Sequence, residues 1–202
     1  MIESRKNNVI LTSSFNVVAK ELQDKGLLPI DKLSVAFIPI AGDPYKNKTW
    51  IEADRNSLLE LGYNVFDIDL VEKQDEFLKK KLELADIIFV AGGNTTFLNE
   101  RSRLSGFHEI VRDLLRHGKL YIGSSAGSIL AGPSVVPFIE EELLDLPTDF
   151  FISNPACLGL VDYIVLPHYP KHADDNEKIF EQYKNKFVFV KLTDYEYRTE
   201  LV

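Results

Sequence analysis

Cysteine, methionine and tryptophan are scarce in this chain, one of each in 202 residues. The single cysteine, Cys157, can form no disulfide within the chain and can hold no thiolate metal cluster. It fits a reducing, cytosolic compartment. Positive charge is also short: 23 Lys and Arg against 31 Asp and Glu give a formal net charge of -8, with a pI of about 5.1. Phosphate binding needs a basic face, so nucleic acid is not expected as a partner. No apolar run is long enough for a signal peptide or a membrane span. The N-terminus, Met1-Ile2-Glu3-Ser4-Arg5-Lys6, is polar and is expected to lead straight into the first strand. Repeats, low-complexity tracts and linkers are absent. What remains is a soluble globular balance, 45% hydrophobic and 27% charged, with enough length for one domain (1–202) and a substantial core.

Strand-like and helix-like segments alternate along the chain. Strands are expected at 8–12, 34–40, 64–70, 86–91 and 120–123. The run 86–91 is apolar on both faces, as a central parallel strand requires. Helices are expected at 16–25, 50–61, 76–84, 95–103 and 107–116. The first carries Val17, Val18, Ala19 and Leu22 on its apolar face, and Gly62 and Gly118 close the second and last. The rhythm loosens over 133–155, which holds prolines and the run Glu140-Glu141-Glu142. That segment reads as two edge strands or a loop over the site, with the glutamates on a solvated face. Alternation returns with a strand at 162–166, a helix at 173–185 and a strand at 187–192, where Tyr183, Phe187 and Phe189 read as core. The pattern predicts one α/β domain with a mostly parallel sheet and helices on both faces. Ligands bind such sheets outside the carboxyl ends of the strands, so chemistry is expected there.

Polar features do fall at those ends. Tyr121-Ile122-Gly123-Ser124-Ser125-Ala126-Gly127-Ser128 reads as a strand end, a tight turn and a helix start. Gly123 and Gly127 flank Ser125 at two residues either side, the small-x-nucleophile-x-small pattern of a nucleophile elbow. Ser124 and Ser128 lack flanking glycines. The same run also fits a glycine-rich turn without chemistry. The Ala126 amide points to where an oxyanion would form. Ala91-Gly92-Gly93-Asn94-Thr95 ends another strand. Its Gly93 amide is a second candidate oxyanion donor, and Asn94 or Thr95 is placed to cap the next helix or to bind substrate. It is neither a phosphate loop nor a dinucleotide fingerprint.

His168 follows the strand ending at Leu166 and is the best-placed general base, because an attacking hydroxyl needs a proton acceptor titrating near neutrality. His108 and His117 read as exposed, and His172 opens the next helix. To orient His168, Asp194 leads and Glu196 is the reserve. The histidines show no ligand spacing with each other or with cysteine, so no metal is expected.

The order Gly-Gly-Asn-Thr, Gly-x-Ser-Ala-Gly, Pro-His-Tyr and a late carboxylate resembles the peptidase E family of serine peptidases, with its α-aspartyl dipeptidases and more distant cyanophycinases. The resemblance runs over nearly the whole chain. It implies a three-layer, class I glutamine amidotransferase-like, flavodoxin-related fold. It implies Ser125, His168 and Asp194 as a triad, although the family often has glutamate at the third position. The α-aspartyl dipeptidases bind the substrate aspartate with an arginine early in the helix after the histidine. Here His172-Ala173-Asp174-Asp175-Asn176-Glu177 has none, so the substrate is expected to differ from Asp-X dipeptides. The chain also ends soon after Asp194, so final strands of longer relatives are expected to be absent. The expectation is a cytoplasmic serine-type dipeptidase acting on small peptides, without cofactor or membrane partner, as a monomer or homodimer. The alternatives are an esterase or amidase, or a silent small-molecule-binding member of the fold.

Overall fold

The computed structural model describes residues 8–30, 32–70 and 75–202. The polar lead-in at Met1 to Lys6 lies outside them. The first part of the chain runs β1 Val9–Thr12, α1 Phe15–Asp24, β2 Ser34–Ile38, α2 Thr49–Glu60, β3 Asn64–Asp67, α3 Asp75–Glu83, β4 Ile87–Val90, α4 Thr95–Leu104, α5 Phe107–Arg116, β5 Leu120–Ser124 and α6 Ala126–Leu130. A connecting segment holds α7 Ile139–Glu142 between two 3₁₀ turns, Val136–Phe138 and Leu143–Asp145. β6 Tyr163–Leu166, α8 Ala173–Tyr183, β7 Val188–Lys191 and β8 Tyr197–Glu200 complete it.

The main sheet has the order β3-β2-β4-β5-β1-β8. Every pair in it is parallel except β1 with β8. Side chains alternate between two apolar layers, as the two-residue period of a strand dictates. Ile87 and Phe89 of β4 pack towards α1 and α2, whereas Ile88 and Val90 pack towards α4 and α5. Phe89 stacks on Phe37 at 5.1 Å and meets the edge of Phe15 at 4.9 Å. Burying a side chain of this kind contributes about 1.5–3 kcal/mol. Both faces of the sheet are therefore covered, which makes the three-layer α/β sandwich the sequence implies. No helix of the described residues is long and apolar enough to cross a membrane.

Five details differ from the sequence reading. β6 and β7 leave the main sheet and pair with each other in parallel, with α8 between them. The edge of β1 is instead taken by β8, a strand with no apolar run to announce it. Segment 133–155 forms short helical turns rather than edge strands. Among the described residues its strand character is one bridge, Ser134 to Ala156, since proline removes the donors a ladder needs. Val17 is 42% exposed, because it falls off the face shared by Val18, Ala19 and Leu22. Tyr183, Phe187 and Phe189 form a half-buried aromatic group beside β7 rather than core.

Candidate active site

Ser125 stands where β5 turns into α6, with φ 50° and ψ -110°. That conformation is strained for a residue with a Cβ. The surroundings over-determine it. The Ser125 N–H donates to Thr12 O of the neighbouring strand at 3.0 Å. A Cβ on Gly127 would lie 2.1 Å from Val90 O, so β4 and α6 approach as only glycine allows. Within 120–132, Ser125 alone is not buried. The neighbouring serines have structural uses. Ser128 Oγ donates in reach of Thr12 O and Gly123 O and accepts from Thr12 N–H. Ser124 Oγ accepts from Phe15 N–H.

The other two groups come from the β6–β7 unit. His168 follows β6, and its Nε2 is 3.0 Å from Ser125 Oγ. Its Nδ1 is 2.6 Å from Asp194 Oδ1, in the connection from β7 to β8. Both side chains are a little over a quarter exposed. His168 has φ 59° and is held there by its N–H donating to Ser13 Oγ at 2.7 Å. Burial raises the Asp194 carboxyl, but donors from His168 and Ser14 outweigh it and leave the group below its ordinary value. Glu196, the reserve, is used elsewhere. Its carboxylate accepts from Thr193 N–H at 2.8 Å, which closes a turn and lowers its pKa.

Gly93 borders the cleft beside Ser125. Its φ is 147°, and a Cβ there would be 2.1 Å from Ala41 O. Among the described residues its N–H has no partner. Ala126 opens α6 directly after Ser125. The cleft has two lobes that meet at Tyr45, Gly93, Ser125, His168 and His172. The larger, about 500 Å³, reaches Trp50 and Asp54. The smaller, about 220 Å³, lies under the connecting segment, against Phe138, Glu141, Glu142 and Asp145. That segment is tied down as a roof. Tyr45 Oη donates to Asp145 at 3.0 Å, and Asn94 Nδ2 donates to Glu142 O at 2.9 Å. Among the described residues, no lysine or arginine lines either lobe.

Several expectations change. Glu142 is not on a solvated face: its carboxylate accepts from Thr95 and Thr96 N–H at the start of α4. Burial raises its pKa against those bonds. Asn94 is fully buried and caps α4 through Phe97 N–H, so its side chain does not face the cleft. Thr95 borders the smaller lobe. His108 is buried against Ser102 Oγ at 2.9 Å, and burial, with Arg103 and Arg112 nearby, lowers its pKa to about 3. Its spacing to Val111 and Leu115 on the apolar face of α5 was the overlooked signal. His117 is exposed, and Cys157 is buried and free. His172 lies 5.9 Å from the His168 ring without joining the hydrogen-bonded line.

Sequence reasoning also missed Ser13, Ser14, Tyr45, Trp50 and Asp54. The first two follow β1 directly, so the rule about carboxyl ends of strands points to them. Trp50 Nε1 donates to Gly92 O at 3.1 Å, and nothing local in the sequence signals that contact.

The model of peptidase family S51 matches residues 9–195. An uncharacterized peptidase of Listeria innocua is 32% identical over 170 residues, 80% of this chain and 76% of that protein. Peptidase E of Salmonella arizonae is 34% identical over 148 residues, 72% of this chain and 59% of that protein. Among solved structures, a candidate peptidase E protein from Listeria monocytogenes EGD-e superposes with a TM-score of 0.84 at 28% identity, covering 96% of this chain and 93% of that one.

Proposed function

Because the chain belongs to peptidase family S51, we propose that it is a serine peptidase of small peptides, with Ser125 as nucleophile, His168 as general base and Asp194 as the group that orients the imidazole. The observation that carries this reading is the unbroken line of hydrogen bonds, 3.0 Å from Ser125 Oγ to His168 Nε2 and 2.6 Å from His168 Nδ1 to Asp194 Oδ1. Ser125 Oγ attacks the peptide carbonyl carbon as its proton passes to His168 Nε2. The developing charge on the carbonyl oxygen is met by the N–H groups of Gly93 and Ala126, a contribution of roughly 3 kcal/mol per donor in such sites. The C–N bond breaks as His168 returns the proton to the leaving amine. Water, deprotonated by the same imidazole, then hydrolyses the ester and frees Ser125. Asp194 remains ionised throughout, which its lowered pKa favours.

The cleft supports small substrates. Its two lobes meet at Ser125, one for each side of the scissile bond, and the roof over the smaller one bars a folded chain. Its lining carries Asp54, Glu141, Glu142, Asp145 and Asp175 with no lysine or arginine among the described residues, which disfavours an aspartyl side chain. A cytoplasmic location, with a single buried free thiol, is part of the same proposal.

The test is amine release from dipeptides whose first residue is acidic, neutral or basic. The expected order places the acidic series last, and Ser125→Ala abolishes turnover of every member while melting as the parent does. Undiminished turnover by Ser125→Ala contradicts the assignment.

A further inference from the structure

The last residue of β1 and the three that follow it touch every part of the proposed triad. Thr12 O, at the strand end, accepts from Ser125 N–H. Ser13 Oγ accepts from His168 N–H at 2.7 Å and donates to Leu192 O at 3.0 Å, joining the ends of β6 and β7 to the main sheet. Ser14 Oγ donates to Asp194 Oδ1 at 3.0 Å. Phe15 N–H donates to Ser124 Oγ, one residue before the nucleophile.

Ser14 is the unusual member. It occupies the N-cap position of α1 with extended backbone, φ -133° and ψ 98°, yet its hydroxyl makes no cap hydrogen bond. A serine there ordinarily accepts from an N–H of the first helical turn. The first turn is served from elsewhere: Asn16 N–H donates to Asp54 Oδ1 of α2 at 3.0 Å. Asp54 is 2% exposed and has no ion-pair partner among the described residues. Burial lifts its pKa to about 6 against the bonds from Ser124 and Asn16. A buried carboxylate is a costly cap when a serine already occupies the position. The cost has a return, because the hydroxyl is left free to reach Asp194.

We propose that Ser14 is a positioning residue for Asp194, and that Asp54 makes this possible by taking over the helix cap that Ser14 would otherwise supply. Ser14 Oγ and His168 Nδ1 converge on the same oxygen, Oδ1. The hydroxyl therefore fixes which carboxylate oxygen faces the imidazole and shares its charge. The role assigned to Ser14 rests on the Ser125–His168–Asp194 reading, so its test includes a measurement that needs no turnover.

That measurement is the titration of the His168 ring by NMR, assigned with His168→Gln. Among the described residues, the charged or titratable groups nearest the ring are Asp194, His172 and, beside Asp194, Lys171, and the smaller lobe, which His168 borders, also carries Tyr45, Glu141, Glu142, Asp145 and Asp175. In Ser14→Ala the carboxylate no longer shares its charge with a hydroxyl, so the His168 midpoint moves to higher pH. Ser14→Thr, which keeps the hydroxyl, returns it to the parent value. In parallel, phosphonylation of Ser125 by a fluorophosphonate slows roughly tenfold in Ser14→Ala, the scale of one hydrogen bond to a charged group. The melting temperature falls only by what the one part-exposed hydrogen bond to Asp194 contributes, because no cap is lost with it; an ordinary cap would add about 1 kcal/mol to that loss. Ser14→Gly, a second variant without the hydroxyl that suits a cap position, behaves as Ser14→Ala does. An unmoved His168 midpoint with unchanged labelling in both variants overturns the proposal, as does a loss of stability with no change in titration. Where the midpoint moves and the parent protein takes no label at all, the positioning role stands and the peptidase reading falls.

Discussion

The six-stranded sheet and the β6–β7 pair hold the two halves of the site in different ways. The sheet fixes Ser125 by backbone sterics: a strand neighbour accepts its N–H, and Gly127 lets α6 lie against Val90. The pair fixes His168 and Asp194 by side-chain hydrogen bonds that reach across more than 150 residues of sequence, from Ser13 and Ser14. The first arrangement is local and rigid. The second depends on two separate pieces of chain docking correctly, and its hydrogen bonds can each be removed singly. The difference predicts that changes to the backbone packing around Ser125 damage the fold, and changes to the side chains hydrogen-bonded around His168 and Asp194 damage chemistry in a folded protein.

The largest effect that sharpens this contrast is on the paired-strand side. Asp194→Asn favours the wrong imidazole tautomer and is expected to slow fluorophosphonate labelling by about 10⁴-fold, with the melting temperature little changed. Glu196→Gln, which only loosens a turn, is expected to leave the rate within about twofold. Comparable losses in both variants would break the assignment of the acid. On the sheet side, Gly127→Ala forces a Cβ to 2.1 Å from Val90 O. An expected loss of about 3–4 kcal/mol in denaturant unfolding follows from overpacking of this kind. A variant of parent stability would show that α6 can shift without cost.

A smaller effect concerns pH. Asp54 has a folded pKa raised to about 6 from 3.8. Its folded state therefore holds the proton more tightly, and the stability this provides is present below pH 4 and is lost as pH rises through 6. At about 1.4 kcal/mol per unit, Asp54→Asn removes up to about 3 kcal/mol of that change. Asparagine still accepts from Asn16 N–H, so the cap persists. His108 acts in the opposite sense, since its pKa is lowered by burial and stability falls as pH drops below 6.5. Unfolding curves at pH 4, 5, 6 and 7 separate the two, with the Asp54→Asn difference growing towards pH 7. A difference that is flat with pH would contradict the burial of a charged Asp54.

The same contrast explains what the sequence made legible. Runs such as Ile87 to Val90, apolar at every position, announce strands covered on both faces. Gly123 and Gly127 announce a steric need within a few residues of Ser125, so the turn could be read from a short stretch. His168 and Asp194 were singled out by the rule that chemistry gathers at strand ends, helped by the family resemblance, and His168 lies within hydrogen-bond reach of both Ser125 and Asp194. What escaped was non-local. Nothing near Glu142 says that its carboxylate ends under α4, 46 residues earlier. Asp54 reads as an ordinary polar residue of α2 until Asn16 is seen beside it. β8 is a short polar edge strand, recognisable only from its pairing with β1. His108 was a different kind of miss, since its helical spacing to Val111 and Leu115 was in plain view.

The measurement that meets the central claim most directly is fluorophosphonate labelling of the parent protein, followed by intact mass and peptide mapping, with Ser125→Ala and His168→Ala beside it. The account predicts one adduct per chain, on Ser125, absent from Ser125→Ala and strongly slowed in His168→Ala. A folded parent protein that takes no label, or takes it on another residue, would contradict an activated serine at the end of β5.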